Sequence, residues 1–219
     1  MTTTIPEAAS TAADHTTDIG FSVHELQYLL SIAPGEGADR SADLLNVGPV
    51  PSVDETILVG GASLLSSGRL EVTEDGSFRP TGAALIVAFI LTSSNRWHFI
   101  TGGADDSIDA GVFVESPSGG VLAQPRTLGT WWFVLLDPAA APAQVLVDTV
   151  IGMAESGERA AVTLRSATTA DDNTFSVRRL GDDWAYGFGP SNADAPTQLV
   201  EETTRDTVVA ALRAFSGDS

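Results

Sequence analysis

The apolar pattern of this chain changes period between residues 91 and 96. Residues 81–91, TGAALIVAFIL, carry apolar side chains on nearly every side of a helix. Such a helix has to be buried on more than one face. From Arg96 onwards apolar residues recur every second position, over 96–101, 110–115, 121–123 and 128–136. That is the period of strands, and Gly-, Asp- and Pro-rich turns separate the runs. Strands in series beside segregated helices predict an α+β domain built on a mainly antiparallel sheet.

The run Leu128-Gly-Thr-Trp-Trp-Phe-Val-Leu-Leu136 is apolar on both faces and reads as a central strand covered on both sides, ended by Asp137-Pro138. A helix over 141–155 follows. A similar plan then returns, with a strand over 160–166 and a hairpin of 174–180 and 184–188 around Gly181-Asp182-Asp183. Trp184, Tyr186 and Phe188 fall on one face of that hairpin, and Ala185 and Gly187 on the other. A short strand over 198–202 leads to a last helix. Thr203 and Asp206 form its capping box, and Val208, Leu212 and Phe215 face the core. Strands followed by a helix thus occur twice, in 96–155 and 160–216. No sequence identity accompanies the repeat, so it is a repeat of architecture.

Residues 1–19 are small, polar and Thr/Ala-rich, the composition of a disordered tail. One domain is expected over 20–219, with pseudo-halves 20–155 and 156–219. Ser22 and Glu25 make a capping-box pattern, and the stripe Leu26, Leu29, Leu30 stops at Pro34-Gly35. Residues 35–52 read as loop with one helical turn near Leu44. A helix over 53–67, capped by Ser52 and Glu55, closes at Gly68. Leu70 and Val72, the Asp75-Gly76 turn and Phe78 form a short hairpin, and Pro80 takes the first turn of the next helix. Helix, small hairpin and helix in that order make a wing-like unit over 53–92.

Wings often accompany DNA-binding helices, but charge opposes that use here. The chain has 29 acidic residues against 11 basic ones, all Arg, for a formal net charge of -18. Phosphate backbones are bound by neutralising them with Lys and Arg, and anionic membranes attract the same residues. Only Arg69 and Arg79 flank the wing, against Glu71, Glu74 and Asp75. Neither nucleic acid nor membrane is expected as a partner, which leaves protein.

Chemistry is equally constrained. The absence of Cys removes disulfides, thiol catalysis and Cys-ligated metals. The absence of Lys removes the Walker phosphate loop, and no nucleophile elbow occurs. His15, His24 and His98 have no metal-ligand spacing. The acidic groups Asp105-Asp106 with Asp109, Asp171-Asp172 and Asp182-Asp183 lack the alternation of a calcium loop and sit among turn residues. Arg165, Arg178 and Arg179 lie on neighbouring strands, where pairing with nearby acids is expected. No catalytic residue, metal site or cofactor follows, and the reading is non-enzymatic. The N-terminus lacks the features of a signal peptide, and the longest apolar run, 83–91, is too short for a membrane helix. A cytoplasmic protein is expected.

Several pieces recur in a fixed order: Ala62-Ser-Leu-Leu-Ser-Ser-Gly-Arg-Leu70, the Asp75-Gly76 wing, Arg96-Trp-His-Phe99, Val162-Thr-Leu-Arg165, Trp184-Ala-Tyr-Gly187 and a polar-capped terminal helix. In that order of elements, residues 22–216 resemble the EspG family, chaperones of actinobacterial type VII (ESX) secretion. The long segment that the family carries before its later strands is nearly absent here, between Ile151 and Ala160. The resemblance implies a cytosolic chaperone that covers the apolar helical tip of a PE/PPE-like secretion substrate, without cofactor or turnover. The sheet and its hairpins would supply the contact, with Trp131, Phe133, Trp184 and Tyr186 as candidate anchors. A core role competes for all four. A different class of function, an acidic inhibitor or immunity-type protein acting on a basic partner through surface charge, is distinguished by its steep salt dependence.

Overall fold

Alternation over 96–203 is resolved into eight strands that join a strand at 18–22 in one nine-stranded antiparallel sheet in a computed structural model, which describes residues 18–48, 55–104, 108–137, 139–168, 170–193 and 196–217. The elements run β1 (Asp18–Ser22), α1 (Val23–Ser31), α2 (Glu36–Leu44), α3 (Glu55–Ser66), the wing strands β2 (Leu70–Val72) and β3 (Phe78–Pro80), and α4 (Gly82–Ser93). Then come β4 (Arg96–Ala104), β5 (Asp109–Ser116), β6 (Gly119–Arg126), β7 (Thr130–Leu135) and α5 (Pro142–Ala154). The chain continues with β8 (Ala160–Thr168), β9 (Asp172–Leu180), β10 (Asp183–Pro190), β11 (Gln198–Thr203) and α6 (Arg205–Ser216). The fold is α+β, as expected.

The order across the sheet is β1-β7-β6-β5-β4-β8-β9-β10-β11. Counted outward from the β4–β8 pair, each half is a four-strand meander followed by a helix, α5 after β7 and α6 after β11. The architectural repeat is therefore a pseudo-twofold about the centre of the sheet.

Two cores lie on opposite faces because strand side chains alternate. On the first face, Trp97, Val112, Val114, Val121, Ala123, Trp131 and Phe133 pack under the layer of α1, α2 and α4. On the second, Ile100, Phe113, Val162, Leu164, Phe175, Val177, Trp184 and Tyr186 pack under α5 and α6. Full burial of each such side chain contributes roughly 1.5–3 kcal/mol. A buried polar link joins the first layer to the sheet: Trp97 Nε1 donates to Ser41 Oγ at 3.0 Å, and Ser41 Oγ donates to the Leu91 carbonyl at 2.8 Å.

The helices of that layer approach closely where side chains are missing. A Cβ on Gly60 would stand 2.0 Å from the His24 carbonyl oxygen, and one on Gly61 would stand 2.6 Å from the Tyr28 ring. Burial pushes the Tyr28 phenol up. The Ser22–Glu25 capping box forms, with Glu25 N donating to Ser22 Oγ at 3.3 Å and Ser22 N to Glu25 Oε2 at 2.8 Å.

Several expectations are corrected. Asp18 and Ile19, assigned to the tail, belong to β1, and residues 1–17 lie outside the described residues. α2 is a nine-residue helix in place of a single turn. Its buried residues are Ala38, Ser41 and Ala42, which are too small to show as an apolar stripe. Pro80 ends β3, and the helix behind it starts at Gly82 after the Thr81 N-cap. The last helix is capped by Thr204, whose side chain accepts from Thr207 N, in place of Thr203. The capping pair Ser52–Glu55 falls partly outside the described residues. β7 is not central but second from one edge of the sheet, with β1 outside it, and its Trp132 is 44% exposed. Leu128 is excluded from β7 and sits in a 3-10 turn at φ 62. α4 packs on the sheet, α1 and α2, yet its outer residues Leu85, Ile86 and Phe89 stay about half exposed.

Candidate functional site

The two cores do not cover the sheet evenly. Over β8, β9 and β10 the second face is sealed by α5 and α6, and large side chains point into it. Their alternates, Ala161, Thr163, Thr174, Ser176, Ala185, Gly187 and Gly189, point to the first face, where α1 to α4 cover the other half of the sheet. The result is an open groove of about 430 Å³ with a floor of small and hydroxyl side chains and a rim that includes Pro190, Pro196 and Leu199.

Glycine keeps one wall tight against the floor. A Cβ on Gly187 would meet Pro196 Cβ at 3.0 Å, and one on Gly189 would meet Thr197 N at 2.8 Å. Thr163 and Ser176 bring their hydroxyls to 3.5 Å across β8 and β9. The large-small alternation of Trp184-Ala-Tyr-Gly-Phe-Gly189 was the readable signal of this surface. The facing small residues of β8 and β9 looked unremarkable in sequence, and only pairing sets them side by side.

Charge marks the two ends. Arg165 forms a forked ion pair with Asp172, its Nε donating to Oδ1 at 2.8 Å, and Arg40 from α2 approaches the same carboxylate at 3.4 Å. The Arg165 hydrogen bond holds the Asp172 carboxyl below the usual carboxylate range. A second hollow of about 260 Å³ beside this pair is lined by Glu36, Arg40, Thr168, Ala170, Asp171 and Asp172. Across the groove Arg178 stands 3.8 Å from Glu201. Arg179 donates to the Gly181 carbonyl at 2.8 Å and lies over the Trp184 ring. Arg165 and Arg178 thus pair with acids as their positions suggested.

The four candidate anchors are placed in the cores. Trp131 is 8% exposed, Phe133 0%, Trp184 5% and Tyr186 9%. Trp131 and Phe133 bind the sheet to the α1–α4 layer, and Trp184 and Tyr186 bind it to α5 and α6. Large apolar surface on these and neighbouring strands is offered by Trp132, Leu180 and Leu199.

No family model matches the chain, and no curated protein matches it.

His98 is fully buried, stacks on Phe113 and places Nε2 3.1 Å from Glu115 Oε1, while its Nδ1 has no hydrogen-bond partner. It lies in the sheet interior, outside both hollows. His24 stands on the surface of α1 with Nδ1 3.4 Å from Gln27 Oε1. His15, Asp105 and Asp106 lie outside the described residues. Asp182 and Asp183 sit at the β9–β10 turn. Among the described residues no group of three or more His, Asp or Glu is placed to hold a metal ion, and no helix is long and apolar enough to cross a membrane.

Proposed function

We propose that this chain is a non-enzymatic, cytoplasmic protein-binding domain that works as an EspG-like chaperone, covering the apolar helical tip of a type VII secretion substrate. The reading is carried by one observation, the half-sheet over β8–β10 that among the described residues lacks a helical layer where its pseudo-equivalent has one. A floor of Ala161, Thr163, Ser176, Ala185 and Gly187 lets a helix end approach the sheet closely. Pro190, Pro196 and Leu199 supply apolar contact at the rim. Coverage of this kind needs no cofactor and no turnover. It relies on burial of apolar surface, so it weakens little with salt.

The test is affinity capture from the native cytosol with wild type and with Ser176→Arg, which fills the groove floor. A small helical secretion substrate held by wild type at high salt and lost from Ser176→Arg is the expected result. A basic protein released at high salt, and bound equally by both, would overturn the chaperone reading in favour of an acidic inhibitor.

A further inference from the structure

The sheet has two outer edges, and they are finished differently. At one end β1 pairs along β7 from Asp18↔Val134 to Ser22↔Thr130. One backbone acceptor of β1 is capped by a side chain, since Arg69 Nη1 donates to the Gly20 carbonyl at 2.7 Å and its guanidinium lies over the Phe21 ring. At the other end β11 pairs along β10, and among the described residues no strand or side chain caps its outer side in the same way. By the pseudo-twofold, β11 occupies the place of β7, and among the described residues no strand takes the place equivalent to β1.

We infer that the outer edge of β11 is a strand-addition site, taking an extended segment of a partner protein with basic residues at its N-terminal end. This rests on the reading of the chain as a protein-binding domain, and it adds a second mode of contact beside the groove. An exposed edge presents unpaired backbone N–H and C=O groups to any extended chain. Register defines what the segment meets. Leu199 stands opposite Gly187, so it points to the groove face, and it is 60% exposed. Val200 points to the opposite face, against the α5–α6 core. Beyond Val200 the pairing with β10 bulges, because Trp184 pairs with Thr203 while Tyr186 pairs with Val200. Glu202 there adopts φ 51.

Charge selects the occupant. The C-terminal end of β11 carries Glu202 and Glu201, the latter 3.8 Å from Arg178, and the adjoining turn carries Asp182 and Asp183. A strand that continues the antiparallel order brings its N-terminal end to these acids and its following residues alongside Leu199. A second copy of the chain would set glutamates of both edges close together, which like charge disfavours. The same acids that block self-pairing therefore admit a basic segment.

The experiment records amide hydrogen exchange by NMR on the full chain, with three eight-residue peptides of alternating valine and threonine. One begins with two arginines, one ends with them, and one begins with two glutamates. The expected result is saturable binding of the first peptide, with exchange at Gln198–Glu201 slowed at least tenfold. The other two peptides bind at least tenfold more weakly, as does the first peptide to Glu201→Gln/Glu202→Gln, whose remaining spectrum reports an intact fold. Unchanged exchange over Gln198–Glu201 overturns the inference. So does equal binding of the glutamate peptide, or protection of these amides in the free protein that grows with its concentration, which would assign the edge to a second copy. A secretion substrate retained by the groove while the β11 edge stays unprotected would sink this inference alone and leave the chaperone reading standing.

Discussion

Arg69 donates to the carbonyl of Gly20 across 49 residues of sequence at 2.7 Å. One bond therefore ties the root of the wing to the outer strand of the sheet. It also satisfies a backbone acceptor that an edge strand would otherwise leave to water or to another chain. Arg69→Met keeps the stem that packs over Phe21 and removes the donor. It is expected to lower stability by about 1–2 kcal/mol, read from urea unfolding, and to speed amide exchange across β1 before the rest of the sheet. Uniform exchange across the sheet would show that β1 does not depend on this bond.

Gly60 and Gly61 sit side by side and predict different outcomes. A methyl group on Gly60 collides with the His24 main chain, which cannot rotate away, so α1 and α3 must separate. Gly60→Ala is expected to cost about 2–3 kcal/mol despite the better helix propensity of Ala. Gly61→Ala meets the Tyr28 ring, a side chain that can shift. It is expected to cost about 1 kcal/mol or less. Chemical denaturation of the two single variants makes the comparison, and equal costs would mean that the α1–α3 crossing is adjustable.

Asp172 gives stability a defined pH dependence. Its folded carboxyl is held below the ordinary value, chiefly by the Arg165 hydrogen bond. A depressed carboxylate contributes stability that is fully present above the unfolded pKa of about 3.9 and is lost as pH falls through the lower folded value. Asp172→Asn should therefore be less stable than wild type at pH 7 by about 1 kcal/mol, a modest figure because the pair is partly exposed. The difference should shrink steadily below about pH 4. Unfolding midpoints from pH 7 to pH 2 check both the size and the sign, and a gap that widened in acid would contradict the assignment.

Leu128 is 99% exposed and holds φ 62 in the turn before β7. A branched apolar side chain there gains no burial and strains the left-handed backbone. Leu128→Asn, a residue that tolerates this region, is expected to raise stability by about 0.5 kcal/mol. A measured loss would show that Leu128 makes a contact in solution that its exposure does not account for.

Local signals were the legible part of this fold. Ser22 with Glu25, Asp75-Gly76 and the two-residue alternation from Arg96 onwards act within a few residues, and each produced its element. The wing turn is one such case, since Thr73 and Ser77 hydrogen bonds hold the Asp75 carboxyl down to about 2. The α+β class and the repeat of a meander followed by a helix could also be read, because both depend on the order of periods along the chain. α2 was missed because Ala38, Ser41 and Ala42 bury little area and leave no stripe to detect. β1 was missed because five residues carry little pattern, and its partners on β7 lie more than a hundred residues away.

The sequence by itself determined most of the strands and helices, with β1 and α2 the exceptions, how polar the surface is, and which side chains alternate on the strands it marked. Tertiary structure alone decided which face each helical layer covers. It buried Trp131, Phe133, Trp184 and Tyr186 as cores and left Ala161, Thr163, Ser176, Ala185 and Gly187 as the floor of an open groove. It also capped one carbonyl of the edge strand β1 with Arg69 and, among the described residues, left the β11 edge without such a cap. The physical reason is that an alternating strand specifies two faces without specifying what packs on them. That choice comes from long-range pairing and from the close approaches that residues such as Gly60 permit, which no local pattern records.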